Sequence, residues 1–111
     1  MADYKIMPHN IEAEQAVLGA ILIDLQAQVD IFGMMKEDDF YSQSHSSIYA
    51  TMNKIYQRSV PVDFVTLTDQ LDQDKILDKV GGIEYITALT NVVPSAANFK
   101  YYCDIVKSDS V

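Results

Sequence analysis

Asn10-Ile11-Glu12-Ala13-Glu14-Gln15-Ala16-Val17-Leu18-Gly19-Ala20-Ile21-Leu22-Ile23 is the stretch on which the reading of this 111-residue chain turns. Asn10 carries a short polar side chain suited to accept from the free N–H groups that open a helix. Glu12 and Glu14 then fall in the first turn, where negative charge meets the positive end of the helix dipole. Leu18, Ile21, Leu22 and Leu25 mark one face at helical spacing, and Ala16, Val17, Ala20 and Ile23 fill most of the remaining circumference. A helix that is apolar on nearly all sides has to be covered on several of them, so this one is expected at the centre of the fold.

Outward from it, the punctuation of the chain sets out further helices. Asp24 is placed to cap a short second helix carrying Val29, Ile31 and Phe32, which the Gly33 region ends before the acidic turn Glu37-Asp38-Asp39. A third helix is expected from about Ser44 to Arg58, with Ile48, Met52 and Ile55 as its inward stripe and Tyr49 and Tyr56 beside them. Val60-Pro61-Val62 must be extended, because proline disfavours helix at the residue before it. Asp63 then caps a fourth helix with Phe64, Leu67, Thr68 and Leu71 on its apolar face. A polar connector from Asp72 to Val80, anchored by Ile76 and Leu77, leads to the Gly81-Gly82 turn and a helix with Ile86, Leu89 and Val93 on one face. Pro94 is expected to end that helix and Ser95 to cap the last one, where Phe99, Tyr102, Cys103 and Val106 recur at threes and fours.

No stretch alternates polar and apolar as a half-buried strand would. The expected fold is all-α, a compact bundle of about six helices, with Leu18, Ile21, Leu22, Ile48, Met52, Leu67, Ile86, Leu89 and Tyr102 in its core. At this length one core organises the chain, and roughly 65% of the unfolded surface can be buried.

Composition narrows the function. Apolar residues make up 49% and charged residues 22%, a globular balance that argues against disorder. The longest apolar run, Ala16 to Ile23, is far short of the roughly 20 residues a membrane span needs, and Met1-Ala2-Asp3-Tyr4-Lys5 does not read as a secretory signal. A cytoplasmic location is the simplest expectation. Cys103 is the single cysteine and reads as a small buried hydrophobe. The formal charge is −8, and the seven lysines and single arginine, Arg58, form no cluster, so direct gripping of nucleic acid is not expected.

The residues also argue against a catalytic or metal site. Gly81-Gly82 is not followed by the lysine of a phosphate-binding loop, and His9 and His45 lie far apart with no cysteine near either. His9 is read as part of the N-terminal arm and His45 as a structural residue in the first turn of the third helix. Asp72, Asp74 and Asp78 lack the glycine and the closing glutamate of a calcium loop, where Leu77 and Ile83 stand instead. Glu37, Asp38 and Asp39 read as caps and dipole partners rather than a catalytic pair.

Five stretches together point to a family. Pro8 to Ala20 (PHNIEAEQAVLGA) and Val80 to Ile86 (VGGIEYI) closely resemble the N-terminal domain of DnaB-type replicative helicases. So do Asp38-Asp39-Phe40-Tyr41 with His45 four positions on, Val60-Pro61-Val62-Asp63, and Pro94-Ser95-Ala96-Ala97-Asn98 leading to Tyr101-Tyr102. The resemblance runs from about Pro8 to Val106 in the family's order and spacing. It departs at Ser59, where the family often has glycine, and it gives no pattern for Asp3 to Met7.

The resemblance implies a parent that forms a hexameric ring, with a C-terminal motor that binds ATP and Mg and moves along single-stranded DNA. It implies that residues 1–7 are an arm, 8–107 the helical head, and 108–111 the start of a connection to a subunit-pairing hairpin. By itself the head is then expected to have no catalytic site or cofactor, and to associate as no more than a weak dimer. The family's partners are the C-terminal domain of primase and a helicase loader. The primase-facing surface carries over only at Glu12 and Tyr85, and Tyr85 could equally be core, since Leu89 and Val92 continue its stripe. The competing reading is a free-standing helical adaptor or helicase-loading factor with the same head. A small acidic hydrolase has only its carboxylates in its favour.

Overall fold

The computed structural model describes residues 10–92 and 99–109, and among these all regular structure is helical. Six α-helices follow in order: α1 (Ile11–Ile23), α2 (Leu25–Met34), α3 (Gln43–Gln57), α4 (Phe64–Gln73), α5 (Gly82–Thr90) and α6 (Phe99–Asp109). A single 3₁₀ turn, Glu37–Asp39, lies between α2 and α3.

The predicted starts hold because the capping chemistry is there. Asn10 Oδ1 accepts the Ala13 N–H at 2.9 Å, and Asp24 Oδ1 accepts the Gln26 N–H at 2.8 Å. The third helix begins one residue earlier than the spacing suggests, because Ser42 is its cap and takes the His45 N–H. Asp63 and Thr66 cap α4 reciprocally, each side chain accepting the other's backbone N–H at 2.9 Å. Val93, Pro94, Ser95 and His9 lie outside the described residues.

Helix α1 is central, packing against α2, α3, α5 and α6. Val17, Leu18 and Ile21 are fully buried, as are Ile48, Met52, Leu67, Ile86 and Leu89 from the other helices. Several apolar placements differ from the periodicity. Leu22 and Tyr102 are half-buried at the edge of the core, and Ile23, Leu25 and Val29 are exposed. Leu25 leaves the stripe because Asp24 breaks the helix and re-aims the chain.

A buried glutamine closes that break. Gln28 Nε2 donates to the Ile21 carbonyl (2.8 Å) at the end of α1 and to the Val62 carbonyl (2.7 Å) in the extended segment before α4. Another part of the core is aromatic. Tyr49 lies between Phe32 and Phe40, with ring centroids 5.3 and 5.0 Å away, and its hydroxyl donates to the Met35 carbonyl at 2.8 Å. Lys107 on α6 reaches across to the Met34 carbonyl (2.9 Å), tying the last helix to α2. Cys103 is buried, and burial, with the Asp104 charge beside it, pushes its thiol up to about 12, so it behaves as the inert hydrophobe its sequence position suggested.

Ser59 has φ +60. The turn into Val60 therefore takes the left-handed conformation that a glycine would occupy without strain, and serine bears it instead.

Candidate partner-binding site

The two residues singled out for partner binding lie on neighbouring first turns. Glu12 is exposed on the outer crest of α1, at the lip of a groove of about 400 Å³ between α1 and α6 that Ala16, Tyr101, Tyr102 and Ile105 help to line. Tyr85 is half-buried on the first turn of α5. Gln15, one turn on from Glu12 along α1, donates its Nε2 to the Tyr85 hydroxyl at 3.1 Å. Tyr85 is thus neither wholly core nor wholly surface, which is the amphipathic position in which a tyrosine presents an apolar body and a polar tip.

Behind Tyr85 is a polar network that the sequence reading did not assemble. Glu14 is 2% exposed and His45 is 1% exposed, and both are fully enclosed by the helices. Glu14 Oε2 accepts the Tyr41 N–H at 2.7 Å, and Oε1 accepts the Ser42 N–H at 3.3 Å and meets His45 Nδ1 at 2.8 Å. His45 Nε2 is hydrogen-bonded to the Tyr85 hydroxyl, and the two rings stack at 5.8 Å with 17° between their planes. One chain of contacts therefore links α1, the start of α3 and α5.

Two backbone features hold Tyr85 there. Gly81 caps α5 with φ +117, a left-handed conformation, and a Cβ added at this position would stand 2.6 Å from the Tyr85 Cβ. The glycine serves both the turn and the close approach of the ring. Tyr41 and Ser42, whose N–H groups bind Glu14, form the approach to α3, so the same carboxylate that anchors His45 also fixes the start of the helix bearing it.

A signal for this network was present in the sequence. Glu14 lies four and seven residues before Leu18 and Ile21, in register with the inward stripe, and an acid on a buried stripe needs a partner. Among the described residues no group of three histidine, cysteine or acidic side chains is arranged to hold a metal ion. No helix among them is long and apolar enough to cross a membrane.

Comparison with known proteins shows the family of the chain. The DnaB-like helicase N terminal domain family matches residues 6–108. Replicative DNA helicase DnaC of Bacillus subtilis (strain 168) is 46% identical over 107 residues, and the DnaB helicase of Geobacillus stearothermophilus is 42% identical over the same length. Each alignment covers 96% of this chain but only 24% of the relative, so the chain spans about a quarter of their length. The crystal structure of the N-terminal domain of DnaB helicase from Mycobacterium tuberculosis superposes with a TM-score of 0.89 at 36% identity, over 94% of this chain and 72% of that one. A DnaB-like replicative helicase whose structure is described with its interactions with primase superposes with a TM-score of 0.76 at 33% identity, over 87% of this chain and 23% of that one. With a family match over almost the whole sequence and the same helical frame in a solved domain, this chain belongs to the family of DnaB-like helicase N-terminal domains.

Proposed function

We propose that this chain is the non-catalytic head of a hexameric, ATP-dependent replicative DNA helicase, and that it helps to assemble the ring collar and to recruit primase through its C-terminal domain. The observation that carries the recruiting role is the placement of exposed Glu12 and half-buried Tyr85 on the first turns of α1 and α5, two helices that pack together. Its support in kind is the 33% identical helicase described with its interactions with primase. In this reading residues 8–107 are the head, 1–7 an arm and 108–111 the beginning of a connection to a pairing hairpin. The protein works in the cytoplasm, and a helicase loader is a further partner.

ATP and Mg belong to the C-terminal motor of the complete protein. The residues here do not suit a nucleotide: Gly81-Gly82 leads into Ile83 and Glu84, so a phosphate would meet a carboxylate where a binding loop supplies lysine. A net charge of −8 likewise disfavours single-stranded DNA. By itself the head is a monomer or weak dimer, because a small interface must overcome the entropy of association. Light scattering at micromolar concentration checks this, and a stable hexamer would contradict it.

The docking role is tested in the full-length helicase carrying Glu12→Ala or Tyr85→Ala. Once hexamer formation and melting are shown to be retained, the primase C-terminal domain from the same organism is titrated. Each variant is expected to weaken binding about fivefold or more, the loss of roughly 1 kcal/mol that marks a contributing contact. Unchanged affinity in both would move the docking surface elsewhere.

A further inference from the structure

We infer that Glu14 and His45 are positioning residues for Tyr85, holding its hydroxyl as a hydrogen-bond acceptor toward the surface, so that the site takes an arginine, a lysine or another N–H donor of the partner. This rests on the docking reading of Tyr85 and names the chemistry that reading requires.

The direction of every bond follows from the buried end outward. Both Glu14 oxygens already accept backbone N–H groups, from Tyr41 and Ser42, so toward the imidazole the carboxylate is an acceptor and His45 Nδ1, at 2.8 Å, brings the proton. In the neutral ring a proton on Nδ1 leaves a lone pair on Nε2, and in that form the Tyr85 hydroxyl spends its one proton inward on Nε2. Gln15 Nε2 can only donate, and it occupies one lone pair of the same oxygen at 3.1 Å. The hydroxyl is left with a lone pair and no proton to offer a partner.

The surroundings have the same sign. Neither α1 nor α5 contains a lysine or arginine, and Glu12 and Glu84 are both exposed on their first turns. A carboxylate or carbonyl arriving at Tyr85 would find no donor on the hydroxyl and negative charge nearby. A guanidinium would find acceptors, and its planar fork suits a site with several of them.

The tautomer is read directly by ring-nitrogen NMR of the ¹⁵N-histidine-labelled 111-residue chain, with His45→Asn identifying the signal. The expected result is a neutral ring protonated on Nδ1. A proton on Nε2, alone or in a charged ring, overturns the proposal. In the full-length helicase, the primase C-terminal domain is then titrated against Tyr85→Ala, Tyr85→Phe and His45→Asn. Asparagine places its amide where Nδ1 was and keeps the bond to Glu14 but cannot reach Tyr85, while Tyr85→Phe removes the hydroxyl and leaves the buried pair in place. Tyr85→Phe is expected to weaken binding about tenfold, as is His45→Asn if it folds. If Tyr85→Ala weakens binding and Tyr85→Phe does not, the ring docks and the positioning proposal falls while the docking reading stands. If Tyr85→Ala has no effect, the docking reading falls, and the site is judged with arginine amide and acetate as probes. Arginine amide should shift the amide signals of Glu12 and Tyr85 and acetate should not; an equal response to both overturns the proposal.

Discussion

Glu12 and Glu14 stand on the same first turn, two residues apart, and the fold puts them to opposite uses. Glu12 faces solvent at the lip of the α1–α6 groove, while Glu14 is sealed among α1, α3 and α5 with two backbone N–H groups and an imidazole on its oxygens. Composition and nearness to the helix start cannot tell them apart, since both are acids near the positive end of a helix. What separates them is rotation: two residues turn about 200° around the axis, enough to carry one side chain to water and the other to the core. Angular position decides which acid serves the surface and which the interior.

The strongest way to break that contrast is Glu14→Ala. It leaves the Tyr41 and Ser42 N–H groups and His45 Nδ1 without their acceptor, and each donor left unsatisfied in the interior costs about 1–3 kcal/mol. Leu18→Ala, one turn deeper on the same stripe and fully buried, is the apolar yardstick at about 2–5 kcal/mol. Against a total stability of about 5–15 kcal/mol for a domain of this kind, either change should move the urea midpoint far down. A loss below about 1 kcal/mol for Glu14→Ala would mean that water takes over its bonds and that the network is not enclosed.

These helices were legible in the sequence wherever a cap and a stripe coincide. Asn10, Asp24 and Asp63 start helices as their side chains predict, and Ile48, Met52 and Ile55 are buried as their spacing predicts. The site was legible only in part. Tyr85 could be read as core or as interface because the residue is half-buried, with its ring stacked on His45. The network stayed hidden because its members are 31 and 40 residues apart and meet only when three helices pack; no local spacing encodes that. Val29 was misplaced for a simpler reason: it stands two residues, about 200°, from buried Ile31, so the two cannot share a face.

A smaller effect sharpens the contrast at the far end of the network. Gly81→Ala imposes a side chain at φ +117 and drives its Cβ into the Tyr85 Cβ, so Tyr85 must move or the turn must open. The expected cost is about 1–3 kcal/mol, from backbone strain together with overpacking, and primase affinity should fall with it. Gly82→Ala is the control. Its φ of +77 is also left-handed, but the nearest atom to the added Cβ is Glu84 Oε1 at 3.9 Å, so it should cost the backbone strain alone, about 1–2 kcal/mol, with docking retained. Equal losses of affinity in the two would show that the turn matters and the position of the tyrosine does not.

The smallest expected effect on stability belongs to Glu12→Ala, and its smallness is the point. Glu12 has solvent around it and a favourable but screened interaction with the start of α1, worth about 0.3–1 kcal/mol, which alanine's higher helix propensity partly offsets. Thermal melting should therefore shift by no more than a few degrees, and the Asn10 cap should keep the helix start in place. Glu12→Gln isolates the charge at nearly constant shape: if the partner brings a cation, glutamine should weaken primase binding almost as much as alanine does, and added salt should shrink the difference from the unaltered protein. If glutamine binds like glutamate at low salt, Glu12 contributes no charge to the contact. A large loss of stability with either substitution would instead mean that Glu12, like Glu14, is tied into the fold.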